Sequence, residues 1–215
     1  MKNLQKLGGF AALYSGLAYI IGIIGFIFIL GTNEVVDPIQ KVVVLVENQV
    51  GLHLLHLLVF QIWAVVLVIL ALSLNEKLKD QSPVMIQITT IIGFIWACVV
   101  IASGMIYNVG MDTVVNLYTD NPEQAATVWA SIHSVFDGLG GGNEILGGIW
   151  LLLVSIVALR ADKFNRILNS IGLLIGIVGI ISSFPGLGEL GMIFGLGQII
   201  WFVWLGIILL KKNQQ

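Results

Sequence analysis

The side chains of this chain that could do chemistry are few, and they gather in two stretches: His53 with His56, and His133, Asp137, Asn143 and Glu144. A three-residue step from His53 to His56 and a four-residue step from His133 to Asp137 each put both side chains on one helical face. Neutral imidazole with carboxylate suits zinc or iron, so His53, His56 and Asp137 form a candidate metal or haem site. The same groups also suit a pH-sensitive or ligand-binding pocket, because histidine titrates near neutrality and a carboxylate in lipid resists ionisation. A plainer reading stands beside both. Histidines at a membrane interface face headgroups or water, and Asp137 before Gly138 caps a broken helix.

Glu144 lies in the segment Gly138-Leu-Gly-Gly-Gly-Asn-Glu-Ile-Leu-Gly-Gly148, which has six glycines in eleven residues. Each glycine costs a free-standing helix up to about 1 kcal/mol relative to alanine, so the run serves either close helix packing or an irregular backbone. If the helix breaks here, Gly141, Gly142 and Asn143 present N–H groups to a cavity, and Glu144 sits in the first turn of the inner half, at its positive dipole end. That makes Asn143, Glu144, Gly141, Gly142 and Asp137 the candidate lining of a ligand pocket. The carboxylate disfavours an anion, which leaves a cation, a proton or a neutral lipid-like molecule. As a packing device, Glu144 would instead partner Asn143, Gln61, Asn108 or backbone N–H groups.

Other chemistries lack their residues. No Gly-Lys-Ser/Thr follows the glycines as in a phosphate loop, and there is no His-Glu-x-x-His. Ser131 and His133 are two apart and point to different helical faces, so no nucleophile constellation forms. The single cysteine, Cys98, allows no internal disulfide and reads as a small core residue.

The elements that must position these groups are set by composition. With 58% hydrophobic and 10% charged residues in 215, and a mean hydropathy of +1.00, the chain is far from the roughly 25% charge of a soluble domain. Lipid is its solvent. A net charge of −2 offers no basic patch for nucleic acid. Helical spans of roughly 20 apolar residues fit six stretches, 8–30, 51–74, 84–108, 139–159, 167–184 and 189–210, within one transmembrane domain over 1–215. The runs are apolar at every step, not alternating, so the expected fold is an all-α six-helix bundle and not a barrel. The first span is too long for a cleaved signal core of roughly 7 to 15 residues.

Nine of the ten basic residues fall before span one, between spans two and three, between four and five, or after six. Only Lys41 lies on the other side. The positive-inside rule therefore predicts that both termini are cytoplasmic. Two of the outside segments are long, and each opens with a helix-start signal, Asp37-Pro38 and Asn121-Pro122. Continuous helices from these prolines to Leu74 and Leu159 would measure about 55 Å. Helices two and four must then project beyond the membrane, or each must break, near Gly51 and near Gly138 to Gly142.

The stretch Gly138 to Ser155 with Ala158-Leu-Arg160, the stretch Ile193-Phe-Gly-Leu-Gly-Gln-Ile-Ile-Trp-Phe-Val-Trp-Leu-Gly206 and the opening Leu7-Gly-Gly-Phe-Ala-Ala-Leu-Tyr14 resemble small bacterial six-span membrane proteins grouped as a domain of unknown function. The resemblance implies a multi-pass protein of the bacterial inner membrane and carries no reaction or ligand with it. The expected function is non-enzymatic binding or passage of a small or lipid-like ligand. One rival is a membrane-embedded metal or haem enzyme. A second rival is a structural assembly subunit, a homo-oligomer joined through small-residue faces such as Gly138 with Gly142, Gly172 with Gly176 and Gly191 with Gly195.

Overall fold

The computed structural model describes residues 2–30, 37–141 and 144–211. Eight α-helices follow in order: α1 (Lys2–Leu30), α2 (Pro38–His56), α3 (Trp63–Leu78), α4 (Pro83–Tyr118), α5 (Pro122–Phe136), α6 (Glu144–Arg160), α7 (Arg166–Ser182) and α8 (Leu190–Leu210). No strand occurs among the described residues. Two π-helical turns, Leu57–Ile62 and Asp137–Gly141, continue α2 and α5 respectively. The helical stretches Asn3–Ile29, Pro38–Leu78, Pro83–Tyr118, Pro122–Arg160 and Leu190–Leu210 are long and apolar enough to cross a membrane, and Arg166–Ser182 is a shorter apolar helix. This is a helical, multi-pass membrane architecture.

The expected helix starts are in place. Asp37 accepts the backbone N–H of Gln40 at 2.7 Å and Asn121 that of Gln124 at 3.1 Å, each just before a proline whose missing N–H costs the helix nothing. Asn165 caps α7 in the same way through Ile167 N–H at 2.7 Å. The second break falls where the glycine run placed it, as a π-turn, but the first differs from expectation. The first long helix kinks at Asn48 (φ −119°, ψ 18°), just before Gly51, and then widens into the π-turn at Leu57–Ile62. The third helix runs on past residue 108 to Tyr118.

The chain divides into two compact units. The smaller comprises Ile20–Ile62 and Val99–Gly142; the larger comprises Met1–Tyr19, Trp63–Cys98 and Asn143–Gln215. In the smaller unit, a core of Val42, Leu45, Leu52, Tyr107, Met111, Val114, Ala125, Trp129 and Phe136 joins α2, α4 and α5. In the larger unit, α6 and α7 pack backbone to backbone. A Cβ on Gly148 would fall 2.7 Å from the Gly176 carbonyl oxygen, and one on Gly176 would fall 2.8 Å from the Gly148 carbonyl oxygen. Gly172 and Gly176 thus serve packing within the chain. Cys98 corrects one expectation: it is exposed, because the buried stripe Gly93, Trp96, Ala97, Val100 turns it to the opposite face of α4.

The glycine contact makes a quantitative claim. Gly148→Ala forces two backbones apart and is expected to lower stability by about 1 to 3 kcal/mol, as overpacking does. Gly188, which has nothing within 4 Å of its Cβ position, is the control. Thermal unfolding in detergent should show a clear loss for Gly148→Ala and almost none for Gly188→Ala.

Candidate functional site

A π-turn inserts an extra residue into a helix and widens it, with i to i−5 in place of i to i−4 hydrogen bonds. In the smaller unit α4 adds a side-chain hydrogen bond beside each turn, and the His53 carbonyl also accepts the Leu57 N–H. Asn108 Nδ2 donates to the His53 carbonyl at 3.4 Å, and Ser103 Oγ donates to the Phe136 carbonyl at 2.9 Å. Glycines bring the backbones close enough. Phe60 Cβ lies 2.7 Å from where Gly104 would carry a Cβ, and the same position on Gly140 is 3.0 Å from Val100 Cα. Both widened turns therefore dock on residues 100–108 of α4.

His56 ends α2 at the first of these turns, and it is 1% exposed. Its Nδ1 lies 2.8 Å from the Leu52 carbonyl oxygen; since a carbonyl only accepts, Nδ1 carries the proton and Nε2 holds the lone pair when the ring is neutral. Aromatic rings enclose it. Tyr107 and Phe60 stack on the imidazole with centroids at 3.5 and 5.2 Å, while Phe26 and Phe136 meet it edge-on at 5.2 and 5.7 Å. Beyond Tyr107 the cluster continues to Trp129 at 5.0 Å and to His133 at 6.5 Å.

The structure sends the sequence-derived site residues to different partners. His133 Nδ1 pairs with Asp137 Oδ2 at 3.0 Å across the predicted four-residue step, and both side chains are about half exposed. His56 faces inward to the rings, and the His53 carbonyl takes the Asn108 amide. Among the described residues no group of three His, Cys, Asp or Glu side chains is arranged to hold a metal ion. Gly141 closes the second π-turn; Gly142 and Asn143 lie outside the described residues.

Glu144 opens α6 in the larger unit and is partly buried. Its Oε1 comes within 3.0 Å of the Cβ position of Gly191, in the first turn of α8. The carboxylate thus lies beside the first turn of α8, whose positive dipole end favours an acidic group.

An open groove of about 630 Å³ lies in the smaller unit beside the N-terminal ends of α2 and α5. Its polar lining is Asp37, Glu123, Thr127, Ser131 and Ser134, and its apolar lining is Pro38, Ile39, Ala126 and Ala130. The hydroxyl protons are already used. Thr127 donates to the Glu123 carbonyl, Ser131 to the Thr127 carbonyl and Ser134 to the Ala130 carbonyl, at 3.0, 3.1 and 2.9 Å. The side chains that line the groove thus offer mainly acceptors, two of them carboxylates, one of which also caps α2. Such a surface selects a ligand that donates hydrogen bonds and carries positive charge.

Sequence reading did not single out the groove or the aromatic enclosure. The groove had a signal: Glu123, Thr127, Ser131 and Ser134 recur at helical spacing as a polar stripe on α5. The enclosure had none, because Phe26, Phe60, Tyr107 and Phe136 come from four separate stretches of the chain with no shared spacing.

No curated protein and no solved structure matches the chain. The model of one protein family, the domain of unknown function DUF4386, matches residues 14–210. With nearly all of its helical stretches inside that match, the chain belongs to the DUF4386 family of unknown function.

Proposed function

We propose that this protein is a non-enzymatic, six-span protein of the bacterial inner membrane, with both termini cytoplasmic, that binds a small amphiphilic cation at its outer face. The groove beside α2 and α5, with two carboxylates and spent hydroxyls among its lining side chains, carries this reading. Its volume is within the range of about 300 to 1,000 Å³ usual for small-molecule sites. An amine would place its N–H donors against Asp37 and Glu123, and an alkyl portion would lie along Pro38, Ile39, Ala126 and Ala130. A pocket at Gly141, Gly142, Asn143 and Glu144 would share the preference for a cation over an anion.

Six spans require α7 to cross as well. Its 17 residues reach about 25 Å, short for a hydrocarbon core of about 30 Å but within the observed range of spanning helices. The distribution of nine basic residues supports the same count and orientation. The bacterial inner membrane rests on the resemblance of the glycine-rich stretches.

Single cysteines in a Cys98→Ala background test the topology. Asp120→Cys and Gly188→Cys are expected to react with a membrane-impermeant maleimide in intact cells. Gln81→Cys and Asp162→Cys should react only after permeabilisation. Labelling of Asp162→Cys and Gly188→Cys from the same side would remove α7 as a span.

Binding is tested with purified protein in nanodiscs, using octylamine against octanol and octanoate as probes in calorimetry. Octylamine should bind and octanoate should not. Asp37→Asn with Glu123→Gln, which keeps a capping side chain at 37, should weaken octylamine binding about tenfold while the melting temperature stays near that of the parent. Equal affinity for octanoate, or an undiminished octylamine affinity in the double variant, would refute the groove as the site.

A further inference from the structure

Within the larger unit, five basic residues stand against three acidic ones where α3 and α6 end and α7 begins: Lys77, Lys79, Arg160, Lys163 and Arg166 against Glu76, Asp80 and Asp162. The acids are spent on two of the bases. Glu76 pairs with Lys79 at 2.7 Å, Asp80 attracts the same ammonium group, and Asp162 lies 3.5 Å from Arg166. Among the described residues, no carboxylate lies within salt-bridge distance of Lys77, Arg160 or Lys163. These three cations border one apolar cluster, built on Leu78, Ile86 and Val157, against which Met85 and Phe164 pack. Lys77 Nζ lies 6.0 Å from the Phe164 ring centre, and Arg160 Nη1 lies 2.9 Å from Met85 Sδ. Lys163 is close enough to Lys77 for the two ammonium groups to repel each other.

The backbone holds these like charges together at a conformational cost. Asp162 (φ 48°) and Phe164 (φ 61°) flank Lys163 in the left-handed region, which aspartate tolerates but in which a bulky phenylalanine is a genuine outlier. Three contacts maintain it. The Lys163 N–H donates to the Ala158 carbonyl at 2.9 Å, the amide of buried Asn169 donates to the Lys163 carbonyl at 2.9 Å, and the Phe164 ring packs on the apolar cluster. A loop that merely joined two helices would gain by parting Lys163 from Lys77, and strain retained at such a place points to function. We propose that Lys77 and Lys163, flanked by Arg160, bind the phosphate of an anionic phospholipid headgroup. An anion between the two ammonium groups replaces one repulsion by two attractions. Position selects a lipid as its source. Lys77 and Arg160 lie at the ends of Pro38–Leu78 and Pro122–Arg160, both long and apolar enough to cross a membrane, so the cluster sits at headgroup level whichever way the chain is oriented. Near the starts of α4 and α7, the exposed side chains of Val84, Ile88 and Ile167 offer apolar surface to acyl chains.

Native mass spectrometry of the delipidated full chain in detergent tests this, with dioleoylphosphatidylglycerol, dioleoylphosphatidylcholine and inorganic phosphate as probes. The first phosphatidylglycerol is expected to bind about tenfold more tightly than the first phosphatidylcholine, and Lys77→Gln with Lys163→Gln should bring the two lipids within about twofold of each other. Lys79→Gln is the control, because Glu76 already holds that ammonium group, and it should leave the preference unchanged. If the double variant does not fold, Lys163→Gln alone, at an exposed side chain, should cut the preference about threefold. Equal binding of the two lipids by the unmodified protein would overturn the proposal, as would a preference that survives in a folded variant or falls equally in Lys79→Gln. Release of phosphatidylglycerol by millimolar phosphate would give the site to a soluble anion and overturn the assignment to lipid.

Discussion

The smaller unit depends on one constraint: two long helices widen by an extra residue, at Leu57–Ile62 and at Asp137–Gly141, and each widened turn has to pack against a neighbour that fits it. A single helix, α4, meets both turns. Asn108 reaches the His53 carbonyl and Ser103 the Phe136 carbonyl, from positions five residues apart on α4. The rest of this unit follows from that anchoring. It fixes where α2 ends, so His56 turns inward to Tyr107, Phe60, Phe26 and Phe136. It also fixes α5 against α2, and so positions the stripe Glu123, Thr127, Ser131 and Ser134 that lines the groove.

Much of this was legible in the chain. Asp37-Pro38 and Asn121-Pro122 announced two helices too long for simple spans, and the structure begins α2 and α5 at those prolines. The glycine run from Gly138 foretold an irregular backbone, and a π-turn occupies Asp137–Gly141. The first break was harder to locate. Gly51 marked the region, but the distortion falls on Asn48 and on the apolar run after His56, where no glycine or proline stands. A π-turn needs no special residue, and the neighbour that packs against this one, α4, lies some fifty residues further along the chain.

The candidate site divided along the same line. Local spacing found the His133–Asp137 pair, because both ends lie on one helix. It could not find the company of His56, which depends on α1, α4 and α5 together with the turn that follows His56. Cys98 failed for a related reason. In a soluble protein a small thiol beside apolar residues belongs in the core, but a helix in lipid can turn it outward at little cost, so burial no longer follows from polarity. Only the glycine faces reveal which side of such a helix is packed. At Gly148 and Gly176 that side is the α6–α7 contact itself.

Hydrogen-bond geometry, more than residue type, decides what a serine offers its surroundings. On α5 the hydroxyls of Thr127, Ser131 and Ser134 donate to backbone carbonyls four residues back, so a ligand in the proposed groove meets their lone pairs together with the carboxylates of Asp37 and Glu123. Ser155 is packed against Gly172 in the α6–α7 contact and has no hydrogen-bond partner among the described residues. The same hydroxyl therefore presents a lone pair in one setting and an unmet donor in the other, a difference that follows from tertiary packing and not from residue type.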